Sequence, residues 1–446
     1  MKVTSKALLA ASLLLAPAAF ATKIPIPIEG ATLNVSVQVQ TQALINENGA
    51  PSGSDPSYDI FVRRTRLLVN GDISQNFSYL FQIDNANFGK YGNFTGRAIV
   101  QDAWIGWAPT GITGANVLYI DAGLLLIPIS HHLLESTTNF ITADVHTDEF
   151  RFPVNPFQGL RETGVQVRGW WFDKKVGFRG GVYEGVAPIS TPGIAATTTP
   201  ASVCVLPGTP PPAPPATAPP TCIALKRNPQ FAGFVNLDII GSEEGGWLYG
   251  AYKWGKAPIL SVGASTVYQS RAVKNLFGNL SDQKLFSADV YLNFPQGEDA
   301  ELVLEATGYL SKNGTGLATT GVGFFADAGY RFTFVAPYVS YSYFNADDCD
   351  ASSLSPAQLT TCQTSTSGPH NADSRNFKAG LNFFFNKNLN HVNLEFQVNH
   401  GQSAFGPQSI TGTPAGGNAG YTPAGINNTL RIPSQKSFLA HWNVLF

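Results

Sequence analysis

The chain has 446 residues, of which 13% are charged and 43% hydrophobic, with 44 Gly, 30 Phe and a single Met. A charged fraction so far below the roughly 25% of a soluble domain points to a non-aqueous neighbour, and the apolar content excludes a disordered chain. A formal net charge of −2 leaves no basic footprint for nucleic acid, and after residue 21 no apolar run is long enough for a transmembrane helix.

Residues 1–21 have the order of an export signal. Lys2 and Lys6 precede the apolar run Ala7–Ala16, Pro17 breaks it, and Ala19-Phe20-Ala21 fits the small-x-small cleavage pattern. The mature chain is therefore expected to begin at Thr22, with residues 22–446 forming one domain.

From Leu33 onward the dominant period is two. Leu33, Val35, Val37 and Val39 alternate with polar residues, and so do Phe77, Tyr79, Phe81 and Ile83. The same holds for Phe286, Ala288, Val290, Leu292 and Phe294, and for Val392, Leu394, Phe396 and Val398. Such alternation predicts strands with one apolar and one polar face, starting near residues 31, 59, 77, 98, 117, 163, 175, 230, 258, 285, 300, 321, 334, 376, 390 and 436.

A soluble sandwich and a membrane barrel share this pattern, and the connections separate them. Short links follow Asn70, Phe172, Phe294, Phe332 and Phe385, whereas long ones span 41–57, 125–161, 185–229, 271–284, 346–375 and 401–435. Long and short links alternate, as in an all-β, transmembrane antiparallel β-barrel with short periplasmic turns and long extracellular loops. About 16 strands are expected, an even number that leaves both chain ends on the short-turn side. Segment 242–256 is then a longer turn; read as a strand, it would break the parity.

Four cysteines suit an oxidising compartment. Cys204 and Cys222 flank a Pro/Thr-rich stretch, and Cys349 and Cys362 a Ser/Asp-rich one. Of three possible connectivities, local pairing within each loop is the simplest. Neither pair has metal-ligand spacing, and no cofactor is implied.

Trp104, Trp107, Trp170, Trp171, Phe384 and Trp442 fall toward short-turn ends, and Tyr58, Phe61, Tyr183, Tyr268, Tyr343 and Phe377 toward long-loop ends. Two interfacial girdles are expected from them. Phe438, Ala440, Trp442 and Val444 alternate up to a carboxyl-terminal Phe446, which resembles the assembly signal of outer-membrane barrels.

Several segments resemble the phosphate-selective porin (O/P) family: "FVRRTRLLVNGDISQNFSYLFQID" (61–84), "VQDAWIGW" (100–107), "RETGVQVRG" (161–169), "LSVGASTVYQS" (260–270) and "FKAGLNFFFN" (377–386). The resemblance spans most of residues 22–446. It implies a homotrimeric anion channel in the bacterial outer membrane, with the loop after the fifth strand folded into the lumen. The matching loop, 125–161, begins within "GLLLIPISHHLLE" (123–135) and carries Leu126 where the family often has a basic residue. It holds Glu135, Asp144, Asp148 and Glu149 against Arg151 and Arg161, with His131, His132 and His146 expected to be mostly neutral at pH 7. A phosphate site needs convergent Arg or Lys, so weak ion selectivity is expected instead.

Side-chain parity places Arg64, Arg66, Arg168 and Arg179 on the lumen face, with Asp84, Asp102, Asp238, Asp289, Glu305 and Asp327. Arginines dominate the second, sixth and seventh strands and acids the eighth to twelfth, which predicts two facing walls of opposite charge. Ser130, His131 and Asp144 make no convincing catalytic set, because Ser and His are adjacent in sequence, and His131 with His132 makes a poor metal pair. Two functions remain: a passive porin for small hydrophilic solutes or ions, and a surface scaffold or adhesin working through loops 185–229 and 401–435.

Overall fold

In the computed structural model sixteen long antiparallel strands close into one barrel. The structure describes the chain from Thr22 onward, apart from residues 25–29, 48, 50–54, 95–97, 112–115, 147–148, 150–159, 186–188, 191–227, 244–247, 256, 275–276, 278, 315–318, 350–351, 353, 365–372 and 402–434. The strands are β1 (Leu33–Asn46), β2 (Ser57–Ser74), β3 (Phe77–Phe88), β4 (Ile99–Trp107), β5 (Val117–Leu126), β6 (Arg161–Trp171), β7 (Val176–Tyr183) and β8 (Gln230–Ile240). They continue as β9 (Ile259–Lys274), β10 (Leu280–Pro295), β11 (Ala300–Lys312), β12 (Gly321–Phe332), β13 (Val335–Ala346), β14 (Ser374–Asn386), β15 (Asn390–Gly401) and β16 (Gln435–Leu445). Pairing of β16 with β1, through Ala440↔Ala43 and Val444↔Val39, closes the ring. Two short accessory strands, Thr22–Ile24 and Ile189–Ser190, lie beside β1 and β9. Among the described residues no helix is long and apolar enough to cross a membrane.

The barrel is apolar outside and polar inside. Along β10, Phe286, Val290 and Phe294 are exposed, while Gln283, Ser287, Asp289 and Asn293 are buried. Only a lipid-facing exterior makes that inversion stable, because closure satisfies every backbone group while the apolar band meets hydrocarbon. The connections alternate as expected, except that β2 runs on to Ser74, so the first short turn follows Ser74 rather than Asn70, and that β9 and β10 extend into 271–284, leaving only 275–279 between them.

A β-bulge in β2 alters one expectation. Gln40 pairs with Arg64 but Thr41 with Val62, leaving Arg63 as the extra residue. Parity flips there, so Phe61 is buried, with the Lys90 ammonium 5.1 Å from its ring centre, instead of joining a girdle. Trp104, Tyr183 and Phe384 also point inward and are buried. Trp107, Trp171, Tyr58, Tyr268 and Phe377 do lie exposed on the outside.

Cys349 and Cys362 form a disulfide with a Cα–Cα separation of 6.0 Å. It braces the loop that carries α1 (Pro356–Thr364), a helix the alternation gave no sign of. Its start is a capping box: the Gln358 N–H donates to Ser355 Oγ, and the Ser355 N–H to Gln358 Oε1. Cys204 and Cys222 lie outside the described residues.

The carboxyl terminus seals the seam. The Phe446 N–H donates to the Val37 carbonyl at 2.8 Å, and its carbonyl accepts from the Val37 N–H at 3.1 Å. Its ring is exposed on the apolar exterior. Phe446→Ser is expected to lower the assembled fraction, read as heat-modifiable migration of outer-membrane protein, while leaving export intact. Assembly at the wild-type level would contradict this role.

Candidate functional site

The β5–β6 connection folds into the barrel. Ile127, Ile129, Leu133 and Ile141 are buried in the lumen against inward apolar residues of the wall, including Val267, Leu285, Tyr309, Phe325 and Val303. Leu126 is buried in the adjoining cluster with Leu134, Phe234 and Tyr249. These wall positions are the signal that parity reading missed. Apolar residues at inward sites of a water-filled barrel mark where something dry must dock.

Polar contacts pin the loop from both sides. On one side Ser265 and Ser287 hydroxyls donate to the Ile129 carbonyl, Ser130 Oγ lies 3.0 Å from the Tyr309 hydroxyl, and His146 Nε2 lies 3.0 Å from the Asp327 carboxylate. On the other, Gln40 donates to the Thr137 carbonyl, Arg66 to Thr137 Oγ1, and the Ala143 N–H to Glu395. Asp144 accepts from Arg63 Nε and Arg64 Nη2, both at 2.7 Å. The bulge at Arg63 is what lets two consecutive arginines reach one carboxylate.

The described residues of segment 242–256 form a turn, not a strand, and they too enter the lumen. Tyr249 makes an isolated parallel bridge with Glu135, and the Ala251 N–H donates to the Asn139 carbonyl. Tyr249, Ala251 and Tyr252 are buried. Glu301 caps this turn by accepting from the Lys253 and Trp254 N–H groups, and Arg331, itself buried, donates to Glu301 at 2.7 Å. The Arg331 guanidinium lies 4.3 Å from the centre of the Trp254 ring.

The lumen charges pair with neighbours and do not form two facing walls. Arg66 binds Asp84 at 3.0 Å, Arg161 binds Asp102 at 3.2 Å, and Arg168 binds Asp121 at 2.7 Å. Arg179 is buried with its guanidinium 5.3 Å from the Tyr249 ring centre. Asp289 accepts from the His131 N–H, and Glu305 lies against both His131 and His132. Short reach explains the difference: a cross-strand partner lies about 5 Å away, far nearer than the opposite wall. Parity reading omitted Asp121, Glu243, Glu301, Arg331 and Glu395. Asp148 and Arg151 lie outside the described residues.

His131 and His146 are not the neutral loop residues expected. Burial opposes a charge on His131, but the carboxylates of Glu243, Glu305 and Glu135 outweigh it and hold its pKa well above the usual value. Burial likewise opposes a charged His146, yet Asp327 and then Glu149 raise its pKa to about 9 against the opposing Lys378. Against the cost of burial, His146 and Lys378 hold Glu149 down at about 2. Burial also opposes the Asp144 carboxylate, but Arg63 and Arg64 keep its pKa well below the ordinary range.

These shifts fix a pH window. The His146 contribution is complete below its unfolded pKa of 6.5 and is lost as pH rises through about 9. The Glu149 contribution is complete above 4.5 and is lost as pH falls through about 2. Ser340, His132 and the Phe325 ring are the other groups facing His146. Hydrogen exchange of residues 131–146, corrected for intrinsic rates, is expected to speed up between pH 7 and 10. His146→Gln should weaken that dependence, leaving the part that His131 contributes, and a flat wild-type profile would contradict it.

No family profile and no curated protein matches the chain. Solved structures do. The anion-selective porin from Comamonas acidovorans superposes with a TM-score of 0.51 at 15% identity, covering 93% of this chain and 100% of that one. OmpF of Salmonella typhi, in complex with daunomycin, gives 0.52 at 10% identity over 95% and 100%. OprB of Pseudomonas putida, at high pH, gives 0.56 at 9% identity over 93% and 94%. What is shared at these identities is the fold: a closed 16-stranded antiparallel β-barrel like the barrels of these outer-membrane porins.

Proposed function

We propose that the chain is a passive outer-membrane channel for small hydrophilic solutes and ions, with weak ion selectivity and no saturable phosphate site. One observation carries this reading: the loop from Ile127 to His146 crosses a polar lumen and is clamped there by Arg63 and Arg64 on Asp144. A loop held inside a barrel narrows it at mid-height, which is the geometry of a size-selective constriction. The lumen arginines Arg64, Arg66, Arg161, Arg168 and Arg331 each have a carboxylate partner, so they offer no concentrated positive field for phosphate.

In this reading Arg64, Arg66, Arg168, Arg179, Asp102, Asp289, Asp327 and Glu149 stand behind the solute path, buried among their partners, and the partly exposed Asp144 meets it; Asp148 and Arg151 are assigned to the path from the sequence alone. Removal of residues 1–21 and assembly as a homotrimer belong to the same proposal; the sequence order of the first and the family resemblance of the second support them. Liposome swelling with sugars of increasing size tests the channel, with fast entry of monosaccharides and a sharp size limit expected. Liposomes that stay impermeable would refute it, and submillimolar phosphate block of chloride current would refute the absence of a phosphate site.

A further inference from the structure

The most unusual chemistry of the lumen surrounds Glu135. Its side chain is buried, yet neither carboxylate oxygen has a hydrogen-bond partner. Both face imidazoles: Oε1 lies 3.5 Å from His131 Nδ1, and Oε2 lies 3.8 Å from His132 Nδ1. Glu305 of β11 lies beside it, with Oε1 3.4 Å from His131 Nδ1. Two buried carboxylates therefore converge on one ring nitrogen that offers at most a single N–H, and Glu135 is left without a donor unless a metal cation replaces that proton.

The two histidines differ in what they can offer. The His146 N–H donates to His132 Nε2 at 3.0 Å, so the His132 proton resides on Nδ1 and points at Glu305 Oε2, 3.2 Å away. His132 is thus a donor to a carboxylate and not an open ligand. His131 is arranged the other way. Its Nε2 lies 2.8 Å from Glu243, and its ring is stacked between Tyr249 and Tyr291, with centroids 4.7 and 4.6 Å away. A carboxylate on the far nitrogen of a fixed imidazole is the usual support of a metal-ligating histidine.

We propose that His131 Nδ1, Glu135 and Glu305 bind a divalent transition-metal ion, Zn2+ or one of similar preference, that ties the inward loop to β11. The three ligand atoms lie within 4.8 Å of one another. A tetrahedral centre with arms of about 2.0–2.2 Å has edges of about 3.3–3.6 Å, and the distances of 3.4 and 3.5 Å from His131 Nδ1 match such edges. Imidazole with carboxylates suits Zn2+ and its neighbours rather than Ca2+ or Mg2+. Three protein ligands leave a fourth position for water or solute. Sequence spacing hid the site because Glu305 comes from a strand far along the chain.

Because the three ligands are buried, the ion enters as the loop docks. The chelator-treated protein is therefore refolded into detergent with Zn2+ alone, desalted, and its metal content measured. One Zn2+ per chain is expected for wild type and for His400→Gln, a control at an exposed histidine, with at least a tenfold lower content for Glu135→Gln. Metal-free wild-type protein, or undiminished content in folded Glu135→Gln, would overturn the proposal. X-ray absorption at the zinc edge of the wild type keeps the proposal testable if that variant fails to fold. One imidazole with oxygen donors is expected, and two or more imidazoles, or an all-oxygen shell, would overturn it.

Discussion

Asp144→Asn is expected to move the channel toward anions. The carboxylate accepts from Arg63 and Arg64 at 2.7 Å each, and neutralising it leaves two guanidinium groups without their shared counter-charge. A unit charge acts on an ion about 4 Å away with about 1 kcal/mol in water, about fivefold for either ion, so the anion-to-cation permeability ratio, in which the two effects multiply, should rise by at most about 25-fold. Screening over about 8 Å confines the effect to ions passing this section. The substitution also loosens the loop. Hydrogen bonds to charged groups contribute about 1.5–3 kcal/mol, and Asp144 is partly exposed, so the lower part of that range applies and open-channel noise should increase. Arg63→Gln with Arg64→Gln should move selectivity the other way. A permeability ratio unchanged in both variants would place the narrow section elsewhere.

Arg331→Met should be the most destabilising single change in the lumen. Arg331 and Glu301 are both buried, 2.7 Å apart, and Arg331 also donates to the backbone carbonyls of Glu298, Asp299 and Thr333. Removing one partner of such a pair costs about 3–5 kcal/mol, because a buried charge is left uncompensated. The loss should appear as a lower urea midpoint in lipid vesicles, together with release of the turn that Glu301 caps at Lys253 and Trp254. Adding Glu301→Gln should recover much of the stability, since replacing both charges leaves none stranded. Wild-type stability in the single variant would mean that water reaches Glu301 freely.

Period-two alternation made the barrel legible. Every expected strand exists, and the largest displacement of a start is at Leu280, expected near residue 285. Lipid on one face and water on the other impose alternation on each strand independently of its neighbours, so a local pattern is enough. The lumen was less legible because its contacts are long-range. Phe61 was misplaced by a bulge that only the pairing with β1 reveals. Val303 and Tyr291 sit at inward positions because the loop from β5 and the turn before β9 cover them. Parity put Asp102 and Arg168 in the lumen but not their partners, since Arg161 and Asp121 come from other strands. His131 and His146 were misjudged for the same reason, as Glu243, Glu305 and Asp327 reach them from distant parts of the chain.

Planar-bilayer recording of purified protein tests the central claim most directly. In asymmetric KCl the account predicts ohmic single-channel steps with a reversal potential near zero, and a shift toward the chloride equilibrium potential in Asp144→Asn. No steps from folded, heat-modifiable protein, or a strongly anion-selective wild type that phosphate blocks at submillimolar concentration, would contradict it.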